Sequence, residues 1–153
     1  MQIYLIRHAH ALDGADDAAR PLSGKGRRQI QALADFLGRN KLIKVRQFWH
    51  SPLVRSRDTA ARLAKRLASR GRLVEMAGLL SDDDPALMAR RLGKVGFSVA
   101  VVGHEPHLGA LASLLVTGKT QPSHFVLKKG TVLALERTPD GWAVAWQVSP
   151  ALL

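Results

Sequence analysis

Short apolar runs alternate along this chain with stretches whose apolar residues recur every three or four positions, and that alternation leaves few folds open. Residues 2–7 hold Ile3, Tyr4, Leu5 and Ile6 without a polar gap, as in a strand covered on both faces. After a loop over residues 8–22, a helix is predicted from about Gly24 to Arg39. It carries Ile30, Leu33, Ala34 and Leu37 on one face, and Ser23 stands where a helix cap belongs. Val45–His50 reads as a second strand. Pro52 opens a second helix reaching about Ser69, with Leu53, Ala60, Leu63, Ala64 and Leu67 on one face. Arg72–Met76 is a short strand, Asp84-Pro85 starts a helix to about Lys94, and Phe97–Gly103 is a β-branched strand. Pro106 starts a helix carrying Leu108, Leu111, Ala112 and Leu115. Thr131–Glu136 and Trp142–Val148 read as a hairpin turned at Pro139-Asp140-Gly141. The prediction is an α/β fold, a three-layer α/β/α sandwich with a mainly parallel central sheet.

A chain of 153 residues suits one domain spanning 1–153, and no repeat or linker divides it. With no cysteine, disulfides, zinc–thiolate sites and a cysteine nucleophile are excluded. The start, Met1 to His8, lacks a basic leader and ends its short apolar run in Arg-His. No stretch approaches the roughly 20 apolar residues of a membrane span. The expectation is a cytoplasmic protein with no membrane partner; a monomer is compatible with the sequence, which leaves oligomeric state open. The net charge of +11 is spread over Lys25 to Arg28, Arg39 to Arg46, Arg55 to Arg72 and Arg90 to Lys94. Spread of this kind describes solvated helix faces first, and second an attractive field for an anionic substrate or an acidic protein. Aromatic residues make up 5% and do not interleave with the basic ones, so no nucleic acid is expected.

Parallel sheets bind ligands beyond the carboxyl ends of their strands. Three such ends carry phosphate-friendly residues: Arg7-His8, His50-Ser51-Pro52 and Gly103-His104. Arg55 lies just past Pro52, where its guanidinium can turn back toward the same end. Arg57 and Thr59 follow on the same first turns, Arg57 reading as a solvated residue. Two arginine forks with two imidazoles make a pocket for a tetrahedral dianion.

Four segments, in order, resemble the histidine phosphatase superfamily: Leu5-Ile6-Arg7-His8-Ala9, Pro21-Leu22-Ser23-Gly24-Lys25-Gly26, Ser51 to Ala60, and Val102-Gly103-His104-Glu105-Pro106. The closing Trp146-Gln147-Val148-Ser149-Pro150 and the short length are similar to its SixA-type phosphohistidine phosphatases. The resemblance implies a phosphoglycerate mutase-like fold with His8 as nucleophile. It implies that Arg7, Arg55 and His104 bind the phosphoryl oxygens, without metal or cofactor. Ser23 falls where the family often has Ser or Thr near the pocket, and reads first as a helix cap. Ala9 and His10 depart from the usual pattern, His10 reading as a solvent-facing loop residue. Esterase branches of the family carry a glutamate soon after the third strand. Here that stretch is Gly78 to Pro85, whose candidates for proton donor are Asp82 and Asp83; Asp84 reads as a helix cap.

The leaving group decides how much that matters. An alkoxide needs an acid, whereas imidazole, whose conjugate acid has a pKa of about 6.5, leaves readily. Three readings follow: a phosphatase of protein phosphohistidine, as in a phosphorelay or phosphotransfer protein; a phosphatase of small phosphomonoesters or polyphosphate, with Asp82 or Asp83 as acid; and a non-catalytic module for phosphate or an acidic partner. The substrate is thus a phosphorylated protein or a small anionic phosphate compound.

Overall fold

The structure, a computed structural model, describes all residues from Met1 to Leu153. Six strands form one sheet: β1 (Gln2–Arg7), β2 (Gln47–His50), β3 (Arg72–Glu75), β4 (Val99–Gly103), β5 (Val132–Thr138) and β6 (Gly141–Val148), in the order β3-β2-β4-β1-β5-β6. The four strands from β3 to β1 are parallel, while β5 runs antiparallel to β1 and closes a hairpin with β6. Four helices connect the strands: α1 (Gly24–Arg39), α2 (Val54–Arg66), α3 (Pro85–Lys94) and α4 (His107–Thr117). This is the expected α/β sandwich with a mainly parallel central sheet.

The unbroken apolar run of β1 has a simple cause. Alternate side chains face opposite sides of the sheet, and both sides are covered. Tyr4 and Ile6 join Leu33, Leu37, Phe48 and Leu63 in a core beneath α1 and α2. Ile3 and Leu5 join Met88, Leu92, Leu108 and Leu111 in a second core beneath α3 and α4.

Local chemistry sets the helix starts. Ser23 accepts from the N–H of Gly26 at 3.0 Å and Asp84 from that of Ala86 at 3.0 Å, as N-caps do. Pro52 does not begin α2, which starts at Val54. The Ser51 hydroxyl instead accepts from the N–H of Leu53 (3.3 Å), and Ser51-Pro52-Leu53 forms a turn. α2 also stops at Arg66 rather than Ser69, because Ala68 turns into the left-handed region at φ 49°. β2 and β4 begin at Gln47 and Val99, two residues later than expected at each. In the hairpin, Gly141 belongs to β6 and pairs with Thr138, leaving Pro139-Asp140 as the turn. The loop over residues 8–22 has structure of its own: a bridge between Ala11 and Leu22, and a 3₁₀ turn at Asp17–Ala19. No helix is long and apolar enough to cross a membrane.

For the site, register is what counts. Arg7 lies opposite Gly103 on β4, and His50 opposite Val102, so the carboxyl ends of β1, β4 and β2 stand side by side.

Candidate active site

His8 follows directly on β1, and its backbone N–H donates to the Gly103 carbonyl at 3.0 Å, which ties it to the end of β4. Its side chain is 6% exposed. Ring atom Nδ1 donates to the Ala9 carbonyl at 2.7 Å. That bond puts the proton on Nδ1 and leaves the lone pair on Nε2, the arrangement a nucleophilic imidazole needs. Burial pushes the His8 pKa down to about 3; the Ala9 carbonyl opposes this, and His104, Arg55 and Arg7 add to it. The ring is therefore neutral at pH 7.

His104 follows β4, its ring centroid 5.1 Å from that of His8. Its Nε2 lies 2.6 Å from the Ser51 hydroxyl, at the end of β2. The serine oxygen already accepts from Leu53, so it can give its own proton to Nε2, which leaves Nδ1–H as a donor. Burial first, then the Arg55 charge, lowers the His104 pKa to about 4.

Arg55 stands in the first turn of α2, only 8% exposed. Its guanidinium donates to the Asp17 carbonyl at 2.8 Å and to the Asp17 carboxylate at 3.2 Å. Arg7 donates from one terminal nitrogen to the Leu127 carbonyl at 3.0 Å, and its buried Nε has no protein partner. Thr59 bonds the loop to the helix: its hydroxyl accepts from the Ala9 N–H (3.1 Å) and donates to the Arg55 carbonyl (2.8 Å).

The structure thus brings Arg7, His8, Arg55 and His104 together. Ser23 caps α1, its hydroxyl engaged with Gly26 and, at 2.6 Å, with Nδ1 of His10. His10 is accordingly half-buried and anchored, not a free loop residue facing solvent. Its carbonyl passes so close to α1 that a Cβ on Gly26 would sit 2.0 Å from it, which is why glycine stands there.

Asp82 is exposed, and the Asp83 carboxylate is engaged with the N–H of Leu80 at 2.8 Å. The carboxylate whose charge reaches His104 is instead Asp17. Bonds from Arg20 (3.0 Å) and Arg55 hold its pKa below the ordinary carboxylate range. Sequence reasoning passed over Asp17, because nothing in the spacing sets it apart from Asp13 and Asp16 in the same loop. Ser51 and Thr59 lay within the quoted motif, but their hydrogen-bond partners come from other strands and loops.

The low pKa values of His8 and His104 have a consequence for stability. Burial lowers His107 as well, and neither of its ring nitrogens has a partner. Unfolded histidines take up protons near pH 6.5, while the folded ones wait until about pH 4 (His104) or 3 (His8). Their contribution is complete above about pH 6.5 and is lost as pH falls from there, by at most about 1.4 kcal/mol per pH unit for each histidine. Urea midpoints measured between pH 7.5 and 4.5 are expected to fall with acidification, and to fall less steeply in His8→Ala. Equal slopes in the two proteins would contradict this.

Such a site, with a neutral imidazole facing two guanidinium groups and a second imidazole, suits transfer of a phosphoryl group. A profile of the histidine phosphatase superfamily (branch 1) matches residues 3–79, half of the chain, including Arg7, His8 and Arg55. The chain belongs to the histidine phosphatase superfamily. It is a phosphatase. Phosphohistidine phosphatase SixA of Escherichia coli (strain K12) is 28% identical to this histidine phosphatase over 158 residues, covering 100% of this chain and 96% of that protein. A solved structure of the protein histidine phosphatase SixA complexed with tungstate superposes with a TM-score of 0.86, at 25% identity and 99% coverage of both chains. The alpha-ribazole phosphatase of Shigella flexneri shares the fold, with a TM-score of 0.76, 17% identity, and coverage of 98% of this chain and 97% of that one.

Proposed function

We propose that this phosphatase hydrolyses phosphohistidine on a protein, with His8 as its nucleophile. Nε2 of His8 attacks phosphorus while the P–N bond to the substrate imidazole breaks, and that imidazole departs with a proton from solvent. Water then attacks phospho-His8, releasing inorganic phosphate and restoring the neutral ring. Arg7, Arg55 and His104 hold the three phosphoryl oxygens, the buried Nε of Arg7 being a donor with no protein acceptor. The transition state is loose, so positioning and charge neutralisation supply most of the rate. No metal or cofactor has a step in this scheme.

One observation carries the choice of substrate. Asp17, a carboxylate bonded to Arg55 and close enough for its charge to reach His104, is held ionised by Arg20 and Arg55 and is a poor proton donor. A site equipped in this way favours a leaving group that needs no strong acid, and imidazole is one. The likeness to SixA, named a phosphohistidine phosphatase, supports the same reading; the complex of a SixA with tungstate, a tetrahedral oxyanion like phosphate, supports a phosphoryl site of either kind.

The second reading is hydrolysis of small phosphomonoesters with Asp82 or Asp83 as acid, in favour of which stands the shared fold of alpha-ribazole phosphatase. A substrate panel decides between them. kcat/KM on a histidine-phosphorylated protein is expected to exceed that on sugar phosphates and polyphosphate by at least about 10²-fold, the scale of the general acid catalysis that ester cleavage requires. Asp83→Asn should change the phosphohistidine rate by less than about tenfold. Preference for an ester, together with a hundredfold loss in Asp83→Asn, would establish the second reading.

A further inference from the structure

Helices α1 and α2 together carry nine basic residues against two acidic ones, Asp35 and Asp58. They lie side by side on one face of the sheet; on the other face α3 carries Arg90, Arg91 and Lys94, and α4 no formally charged residue. Between α1 and α2 runs a groove of about 720 Å³ lined by Arg27, Arg28, Arg62, Lys65 and Arg66. All five are exposed. Arg66 alone has an ion pair, with Asp35 at 2.8 Å. Arg27 donates to the Leu22 carbonyl at 3.2 Å. Arg28, Arg62 and Lys65 face no carboxylate within ion-pair distance.

We infer that this groove docks an acidic surface of the protein that carries the phosphohistidine. The inference rests on the phosphohistidine reading and extends it to how that protein is recognised. Continuity with the site is the first argument. α2 begins one residue before Arg55, and Ser23, which caps α1, is bonded to His10, two residues beyond His8. The groove is thus built on the two helices whose first turns adjoin the phosphate site, with Gly24 at the start of α1 and Arg62 two turns along α2 from Arg55 among its lining.

Distance is the second argument. Arg62 and Lys65 follow Arg55 by seven and ten residues in one helix, about 10 and 15 Å at 1.5 Å per residue. A small phosphate compound held at His8 does not reach them, but a folded partner does. The chemistry of the lining is the third. The groove has no aromatic side chain on which a base could stack, and its one apolar member is Ile30. Clustered cations without counterions raise the encounter rate with an acidic surface and fix its orientation.

The test compares the wild type with the triple variant Arg28→Glu, Arg62→Glu, Lys65→Glu. None of the three side chains is buried, and unchanged circular dichroism and melting temperature establish folding. A second variant, Arg62→Gln with Lys65→Gln, removes charge without reversing it. The probes are a net-acidic, histidine-phosphorylated phosphotransfer domain and the small compound phosphoramidate. On the domain, kcat/KM is expected to fall about 10- to 100-fold in the triple variant and less in the double one, and to lose most of its dependence on salt. On phosphoramidate it should stay within about twofold.

An equal loss on both probes would mean that the charges act on the site itself, and would overturn the inference. So would an unchanged rate on the domain, with the phosphohistidine reading left standing. Inhibition of the wild type by polyphosphate that disappears in the triple variant, while the domain is cleaved normally, would assign the groove to a polyanion instead. If the wild type does not cleave the domain at all but does cleave phosphoesters, the phosphohistidine reading fails and the inference with it.

Discussion

His8→Ala is expected to lower kcat by about 10⁴-fold or more, with the fold intact. Nucleophiles that act as part of a unit show losses on this scale when removed. No neighbour can stand in for His8. The neighbouring imidazole, His104, has its Nε2 occupied by Ser51 at 2.6 Å, which leaves it the proposed role of a partner for phosphoryl oxygens. Arg7 and Arg55 remain in His8→Ala, so the variant should still bind phosphate or tungstate. Steady-state kinetics on a histidine-phosphorylated protein, with calorimetric titration of tungstate, check both halves. Residual activity within tenfold of wild type would remove His8 from the mechanism.

The second large effect belongs to Arg55. Arg55→Ala is expected to reduce kcat/KM by about 10²–10³-fold, as loss of one preorganised donor to a developing anion does elsewhere. Two changes add here. The phosphoryl group loses a guanidinium, and Asp17 loses the partner that neutralises its carboxylate at 3.2 Å, leaving it held by Arg20. Arg55→Lys should recover little of the loss, because one ammonium cannot bond the Asp17 carbonyl, the Asp17 carboxylate and a phosphoryl oxygen in the planar geometry of arginine. A rate for Arg55→Lys close to wild type would show that Arg55 acts as a point charge.

Much of this architecture is legible in the chain because local signals and long-range packing agree. The run Ile3 to Ile6 is apolar on both faces, and the sheet has helices on both faces. Ser23 and Asp84 cap α1 and α3 because their side chains need only a backbone N–H two or three residues away. The convergence of Arg7, His8, Arg55 and His104 also follows from strand ends that must lie side by side in a parallel sheet.

Asp17 was not legible in this way. Its role depends on a 3₁₀ turn in a long loop and on a guanidinium 38 residues further along, and neither leaves a periodic trace. The start of α2 escaped for a related reason. Pro52 is a good first helical residue in isolation, but the Ser51 hydroxyl, drawn to His104, holds Pro52 and Leu53 in a turn instead. Asp82 and Asp83 are candidate acids in the sequence because they are carboxylates near an expected position. The bond from Leu80 to Asp83 shows a turn-forming use that spacing alone does not reveal.

The central claim is that phosphate passes from a protein histidine to His8. The most direct measurement is rapid mixing of the phosphatase with a protein carrying ³²P-phosphohistidine, followed by quenching in base and peptide mapping of the trapped enzyme. The account predicts label on the peptide containing His8, stable in base and lost in acid, as a P–N bond to imidazole requires, and no label in His8→Ala. Label that survives acid, or that maps to any other residue, would contradict it.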